Sequence, residues 1–265
     1  MSQLGCLSGM MQAKGGRMAT IENGRGGLGT VRNAVTLLEL LADGPAYHQL
    51  TDLAERSAMS IPTVHRLLRS LVLADLAVQD PATSRYGLGP ELARLSHHYL
   101  TRLPLIGAAS PYLSQVRDKV GATVHVEVLV SGEVVYVDRV DGGVVGPYRE
   151  SNRVHRALET AGGRLLAARA SEEQWQQAVR LVDPEEQESA RAARAEWAAG
   201  EWLAHEPDDM TMPAEVAVPV LDASGAAVGA LAADLPDPGD ETHIAQAAAY
   251  LGRAAKAAGR TLGHG

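Results

Sequence analysis

Phenylalanine is absent from this 265-residue sequence, and only 4% of the residues are aromatic. A core without Phe must be assembled from Leu, Val and Ala, so it depends on close approach of small groups more than on large rings. Cysteine occurs once, at Cys6, which excludes an internal disulfide framework and a thiolate metal cluster and fits a reducing cytoplasm. No apolar run approaches the roughly 18 residues that span a bilayer. The region around Lys14 and Arg17 lacks the continuous apolar stretch of a secretory signal. Motifs of chemistry are missing as well: no GxSxG elbow, HExxH helix or Walker loop is present, so no reaction and no cofactor is expected. Gly24 to Gly29 formally matches GxGxxG, but no buried strand precedes it, and it reads as part of a flexible tail.

Positive charge is also scarce where it might be looked for. The net charge is −8, which taken alone discourages nucleic acid as a partner. The charge is unevenly spread: residues 1–27 carry +2, residues 28–103 are neutral, and residues 104–265 carry −10. A neutral N-terminal part can still bind DNA if its arginines gather on one face, because phosphate contact depends on local potential.

Length favours two domains. Residues 1–27 show no periodicity and read as a disordered tail, in which Met1, Met10, Met11 and Met18 are equal candidates for the natural start. Val31, Ala34, Val35, Leu38 and Leu41 then mark an amphipathic helix, ended by Asp43-Gly44-Pro45. A short helix follows, with Thr51 as its expected cap. The third begins at Ser60, suited to capping, with Pro62 in its first turn. Val64, Leu67, Leu68 and Leu71 keep the i, i+3, i+4, i+7 spacing of one apolar stripe, while His65, Arg66 and Arg69 point away from it. Taken alone this is an ordinary surface helix. Three helices with a tight turn before the third, then short strands at 76–79 and 85–88 around Asp80 to Ser84, form a helix-turn-helix with a wing.

Leu53-Ala54-Glu55-Arg56, Thr63-Val64-His65-Arg66-Leu67-Leu68, Leu71 and Arg85-Tyr86-Gly87-Leu88-Gly89-Pro90 resemble the winged helix-turn-helix of the IclR-type transcriptional regulators. Ile61 and Pro62 depart from the basic residue and serine usual at the start of that family's third helix. The domains expected are a winged helix-turn-helix at 28–89, a linker helix at 90–103 and an effector-binding domain at 104–265. Adjacent His97 and His98 diverge by about 100° on the linker helix, so they do not make a metal site.

In the second half, residues 106–120 read as a helix. Val124, Val126, Val128 and Val130 alternate with Thr123, His125, Glu127 and Leu129, which predicts a strand with one buried face, paired through a Ser131-Gly132 turn to 134–140. A Gly-rich loop at 141–147, helices at 158–170 and 185–199, strands at 215–221 and 227–234, and an Ala-rich helix at 241–262 complete an α+β sensor domain. Gly132 to Val140, Thr160 to Ala167 and Val218 to Asp222 resemble the GAF-like effector-binding domain of the same family.

The resemblance implies a sequence-specific regulator, read as a repressor, that binds a double-stranded DNA operator as a homodimer or tetramer in the cytoplasm. Thr63, His65, Arg66 and Arg69 are the expected base and phosphate contacts, with Thr51 on a phosphate and Arg85 in the wing. The family's effector-contacting positions fall on Glu215, Ala232 and Asp234, with His205 at an upstream position and His155 as a further candidate. Carboxylates in place of neutral donors repel an anion by an amount on the order of kcal/mol, which favours a neutral or cationic effector over a small dicarboxylate. Glu215 and Asp234 read equally well as solvated strand-end residues. Two other classes stay open: a protein-interaction module built on a winged helix, and an enzyme using His125, Glu127 and Asp138, the last depending on hairpin register.

Overall fold

A computed structural model describes residues 23–142, 154–207 and 213–263. The chain divides into two compact units between His97 and His98.

In the first unit, α1 (Asn23–Ala42), α2 (Leu50–Arg56) and α3 (Ile61–Leu73) precede the hairpin β1 (Ala77–Gln79) and β2 (Tyr86–Leu88). α1 starts inside the stretch expected to be a tail and takes in Gly24 to Gly29, so those glycines form no phosphate-binding loop. α2 begins at Leu50 with Gln49 before it, which places Thr51 inside the helix instead of at its cap. Leu37, Leu53, Val64 and Leu68 are fully buried and form one core with Leu41, Leu67, Leu71 and Tyr86. The turn from α2 to α3 passes through Ala58 in the left-handed region (φ 53°). The wing is tied down by paired backbone bonds between His48 and Tyr86, 2.8 and 2.9 Å.

α4 (Glu91–Leu100) crosses the division and buries none of its residues. Its His97 and His98 are exposed.

The second unit is built on a six-stranded antiparallel sheet in the order β5-β4-β3-β8-β7-β6. Its strands are β3 (Val124–Val130), β4 (Glu133–Val140), β5 (Val154–Arg156), β6 (Leu203–His205), β7 (Ala214–Leu221) and β8 (Ala227–Leu235). Ser131 and Gly132 both have positive φ, 53° and 88°, which is the twist a two-residue hairpin between β3 and β4 needs. One face of the sheet packs on α5 (Pro104–Val120) and α9 (Glu241–Leu262). α9 turns Ile244, Ala247, Ala248, Leu251, Ala254, Ala255 and Ala258 inward, and its alanines let it lie close to β7 and β8.

The other face is covered by α6 (Ala161–Arg169), whose Ala161 and Leu165 meet Ala217 and Ala232. α7 (Glu172–Val179) and α8 (Pro184–Ala199) close this side around Trp175, with Trp197 edge-on to it at 6.5 Å. Thus β3 is buried on both faces, where its alternation had predicted one. α7, β5 and β6 had no counterpart in the sequence pattern, and the Gly-rich loop lies largely outside the described residues.

Candidate functional site

Two features stand out, one in each unit. On α3, the residues opposite the buried stripe are Pro62, His65, Arg66, Arg69, Ser70 and Leu73, all exposed. Neither Arg66 nor Arg69 forms an ion pair among the described residues. Ser60 occupies the N-cap position of the helix, but its side chain makes no capping bond. Its hydroxyl lies 2.8 Å from that of Thr63, which is half-buried, so these two oxygens satisfy each other and stiffen the helix start. Thr51 is exposed on the first turn of α2. Arg85 is exposed at the edge of the wing, whose turn is held by Asp80 accepting from the Ala82 N–H at 3.1 Å and from the Thr83 hydroxyl.

The second feature lies on the α6 side of the sheet. Residues directly opposite each other in an antiparallel pair share a face. By register, His205 stands beside Glu215, Glu215 beside Asp234, His125 beside Ala232, Glu127 beside Tyr136, and Val134 beside His155. The four effector candidates His155, His205, Glu215 and Asp234 therefore stand on one face, and His125, Glu127 and Tyr136 join them. Asp138 is paired with Val126, on the opposite face, where its carboxylate accepts from the Ser110 hydroxyl at 2.6 Å. The acid/base trio with Asp138 does not form.

At the centre of this face, His125, Glu127 and Glu215 are 1%, 0% and 3% exposed. Glu215 is no solvated strand end. Its Oε1 accepts the Gly162 N–H at 3.1 Å, at the first turn of α6, and its Oε2 accepts the Tyr136 hydroxyl at 3.3 Å. His125 Nε2 lies 3.4 Å from Glu215 Oε2 and 3.1 Å from Glu127 Oε1. The imidazole stacks on the Tyr136 ring, with centroids 4.2 Å apart and planes 13° apart, and Asp234 Oδ1 is 3.9 Å from its Nδ1. The His155 ring is 5.4 Å from that of Tyr136. Both Glu127 oxygens and His125 Nδ1 have no hydrogen-bond partner.

Burial works against charge here, and the neighbours decide which groups keep it. Burial favours the neutral His125 ring, but Glu127 and Glu215 override it and raise the imidazole to about 10. Burial and the Glu215 charge push Glu127 up to about 7. Glu215 is held below the usual carboxylate range: burial opposes ionisation, and His125 together with the Gly162 and Ala161 N–H groups outweighs it. Burial and the nearby carboxylates push the Tyr136 hydroxyl upward, so it remains a donor.

Gly162 is required at this point. A Cβ there would collide with Glu127 Oε2, so only glycine lets α6 approach the cluster so closely. The sequence reading assigned no metal to the chain, yet three ligand-type groups converge here within 4.8 Å of one another. The strand alternation hinted at His125 and Glu127 as a same-face pair. Nothing local to them pointed to Glu215, 90 residues away.

The comparisons with known proteins agree with this division. Residues 30–81 match the model of the IclR helix-turn-helix domain, and residues 97–189 that of the bacterial transcriptional regulator IclR C-terminal domain. The chain is 26% identical over 140 residues to the regulator XynR of Escherichia coli, covering 52% of this chain and 56% of that protein. It is 33% identical over 111 residues to the glycerol operon regulatory protein of Streptomyces coelicolor, covering 42% and 44%. It thus spans about half the length of these curated relatives. An IclR-type regulator of known structure from Silicibacter sp. TM1040 shares the fold at a TM-score of 0.74 and 23% identity, over 88% of this chain and 96% of that one. Among the described residues no helix is long and apolar enough to cross a membrane. Two family models, one on each unit and together covering more than half of the sequence, place the chain in the IclR family of bacterial transcriptional regulators.

Proposed function

We propose that this chain is a cytoplasmic, ligand-responsive repressor that binds a DNA operator as a homodimer or tetramer. The observation that carries the reading is the exposed side of α3, where Arg66 and Arg69 stand ready for an outside partner while Val64, Leu67, Leu68 and Leu71 anchor the helix. A helix so anchored presents its outer side rigidly to a major groove. In this reading His65, Arg66 and Arg69 meet base edges and phosphates, and Thr63 joins them from the helix start. Thr51 and Arg85 hold the flanking backbone. The exposed Ile61 and Pro62 offer apolar contact, suited to a thymine methyl.

The effector binds on the α6 side of the second unit, with His155, His205, Glu215 and Asp234 as its contacts. The carboxylates of Glu127, Glu215 and Asp234 on this face favour a neutral, hydroxylated or cationic ligand over a small oxoacid. A relative whose name ties it to a glycerol operon is compatible with a neutral polyol. No reaction is assigned to the chain.

The test is fluorescence anisotropy of labelled fragments from the chain's own upstream region across a salt series. The expected result is specific binding that weakens steeply with salt, because neutralised phosphates release counterions. Salt-independent binding, or no binding to any fragment, would refute it and favour a protein partner for the winged helix. Calorimetry with pyruvate and glyoxylate as anionic probes is expected to show no binding to the second unit.

A further inference from the structure

We infer that His125, Glu127 and Glu215 form a buried binding site for one divalent transition-metal ion of the zinc type. The site lies on the sheet face that the regulatory reading gives to the effector, and it rests on that reading only for a link to regulation.

Three observations carry it. First, two of the three donor pairs have ligand spacing, and all three donors lie within 4.8 Å of one another. Metal–ligand bonds of roughly 2.0 to 2.2 Å in tetrahedral or octahedral geometry separate neighbouring donors by about 2.8 to 3.6 Å. His125 Nε2 is 3.1 Å from Glu127 Oε1 and 3.4 Å from Glu215 Oε2. Second, the Glu127 carboxylate is fully buried with neither oxygen hydrogen-bonded, although its Oε1 stands so close to the imidazole. Its Oε1 faces only the His125 ring and its Oε2 has no hydrogen-bond partner, and a buried carboxylate so incompletely satisfied is an arrangement that a cation relieves directly. Third, the charges balance once the ion displaces the proton from His125: two carboxylates and the neutral imidazole then bring −2 to a divalent ion, and the proton is released to solvent.

The surroundings are those of an oriented ligand set. Tyr136 and the Gly162 N–H fix Glu215 from behind, Tyr136 fixes the plane of His125 by stacking, and Asp234 faces the far nitrogen of His125. Such outer partners set the direction and basicity of metal ligands. The mixed nitrogen and oxygen set selects the ion. Calcium requires six to eight oxygens, and magnesium keeps several waters that this closed site does not accommodate, whereas zinc accepts three protein ligands and one further group.

The full-length chain, with any affinity tag removed, is stripped with a chelator, desalted and titrated with Zn²⁺ by calorimetry, and its metal content is measured by mass spectrometry after dialysis. One equivalent per chain is expected. Glu127→Gln and Glu215→Gln, which keep the side-chain shape, should each weaken binding by more than about 100-fold, and Tyr136→Phe by about 10-fold. The double change His97→Ala, His98→Ala should leave it intact. Co²⁺ added to the unmodified chain should give visible absorption bands of a four- or five-coordinate site, a readout that does not depend on any variant folding. Less than a tenth of an equivalent retained, or an equivalent lost with the surface histidine pair and kept in both Gln variants, an adventitious ion only, would overturn the assignment. DNA affinity is measured separately, so failure of the metal site and failure of the regulatory reading give different results.

Discussion

Replacing Arg66 or Arg69 by alanine separates the two ways an arginine can serve a DNA-binding helix. The side chains are three residues apart and on the same exposed side of α3, so neither truncation touches the buried stripe beneath. If one of them neutralises a phosphate in each half of a two-fold complex, two counterion-releasing contacts are lost per variant. The slope of log affinity against log salt then falls by about 1.8, and a fourfold rise in salt costs the unmodified protein about 12-fold more affinity than the variant. If the same arginine instead makes a bidentate contact to guanine, each contact is worth about 1 to 3 kcal/mol, or roughly 5- to 150-fold. That loss appears on the specific fragment alone, with the salt slope nearly unchanged. Anisotropy titrations between 50 and 200 mM salt, on specific and scrambled fragments, distinguish the two. Unaltered affinity and unaltered slope in both variants, with circular dichroism unchanged, would refute α3 as the reading helix.

Three further outcomes concern stability. Ala58→Gly should stabilise the first unit by up to about 1 kcal/mol in chemical denaturation, because an L-residue is held at φ 53° in the turn before α3; a destabilised variant would count against a strained turn. Gly162→Ala should destabilise the second unit by about 1 to 3 kcal/mol, since Glu127 is enclosed and has nowhere to swing; the loss should shrink when Glu127→Ala is added, and strict additivity of the two would refute the contact. Arg169→Ala should cost about 1 to 3 kcal/mol by stripping partners from the carbonyls of Leu165, Trp197 and Gly200, measured as a lower unfolding midpoint; an unchanged midpoint would show that water replaces the guanidinium.

The first unit was legible because each of its elements announces itself locally. The i, i+3, i+4, i+7 run from Val64 to Leu71 matches the residues buried in α3, and the wing's turn residues sit between two short strands. The fold of the second unit followed from its long alternating strands and its Ala-rich last helix. The cluster on its sheet face did not. Val-His-Val-Glu-Val reads as a strand with a wet side, and the helix that covers that side begins Ala-Gly-Gly, too small and too short a pattern to signal packing. Glu215 reaches His125 only through the sheet order β3-β8-β7, which no local pattern encodes. The family resemblance put Glu215, Asp234, His155 and His205 forward as candidates, and the register places them on one face; it did not supply His125 and Glu127 as their neighbours.

α6 ties two regions of the second unit together. Its first turn holds Glu215 through the Gly162 N–H, and at its last turn Arg169 grips the carbonyls of Trp197 and Gly200 at the end of α8. Nine residues make a rod about 14 Å long, pinned at both ends. Such a rod has no slack. A displacement at the carboxylate end must be passed along its axis to the other, or must tear the Arg169 clasp, which makes α6 a mechanical gauge of whatever sits against Glu127 and Glu215.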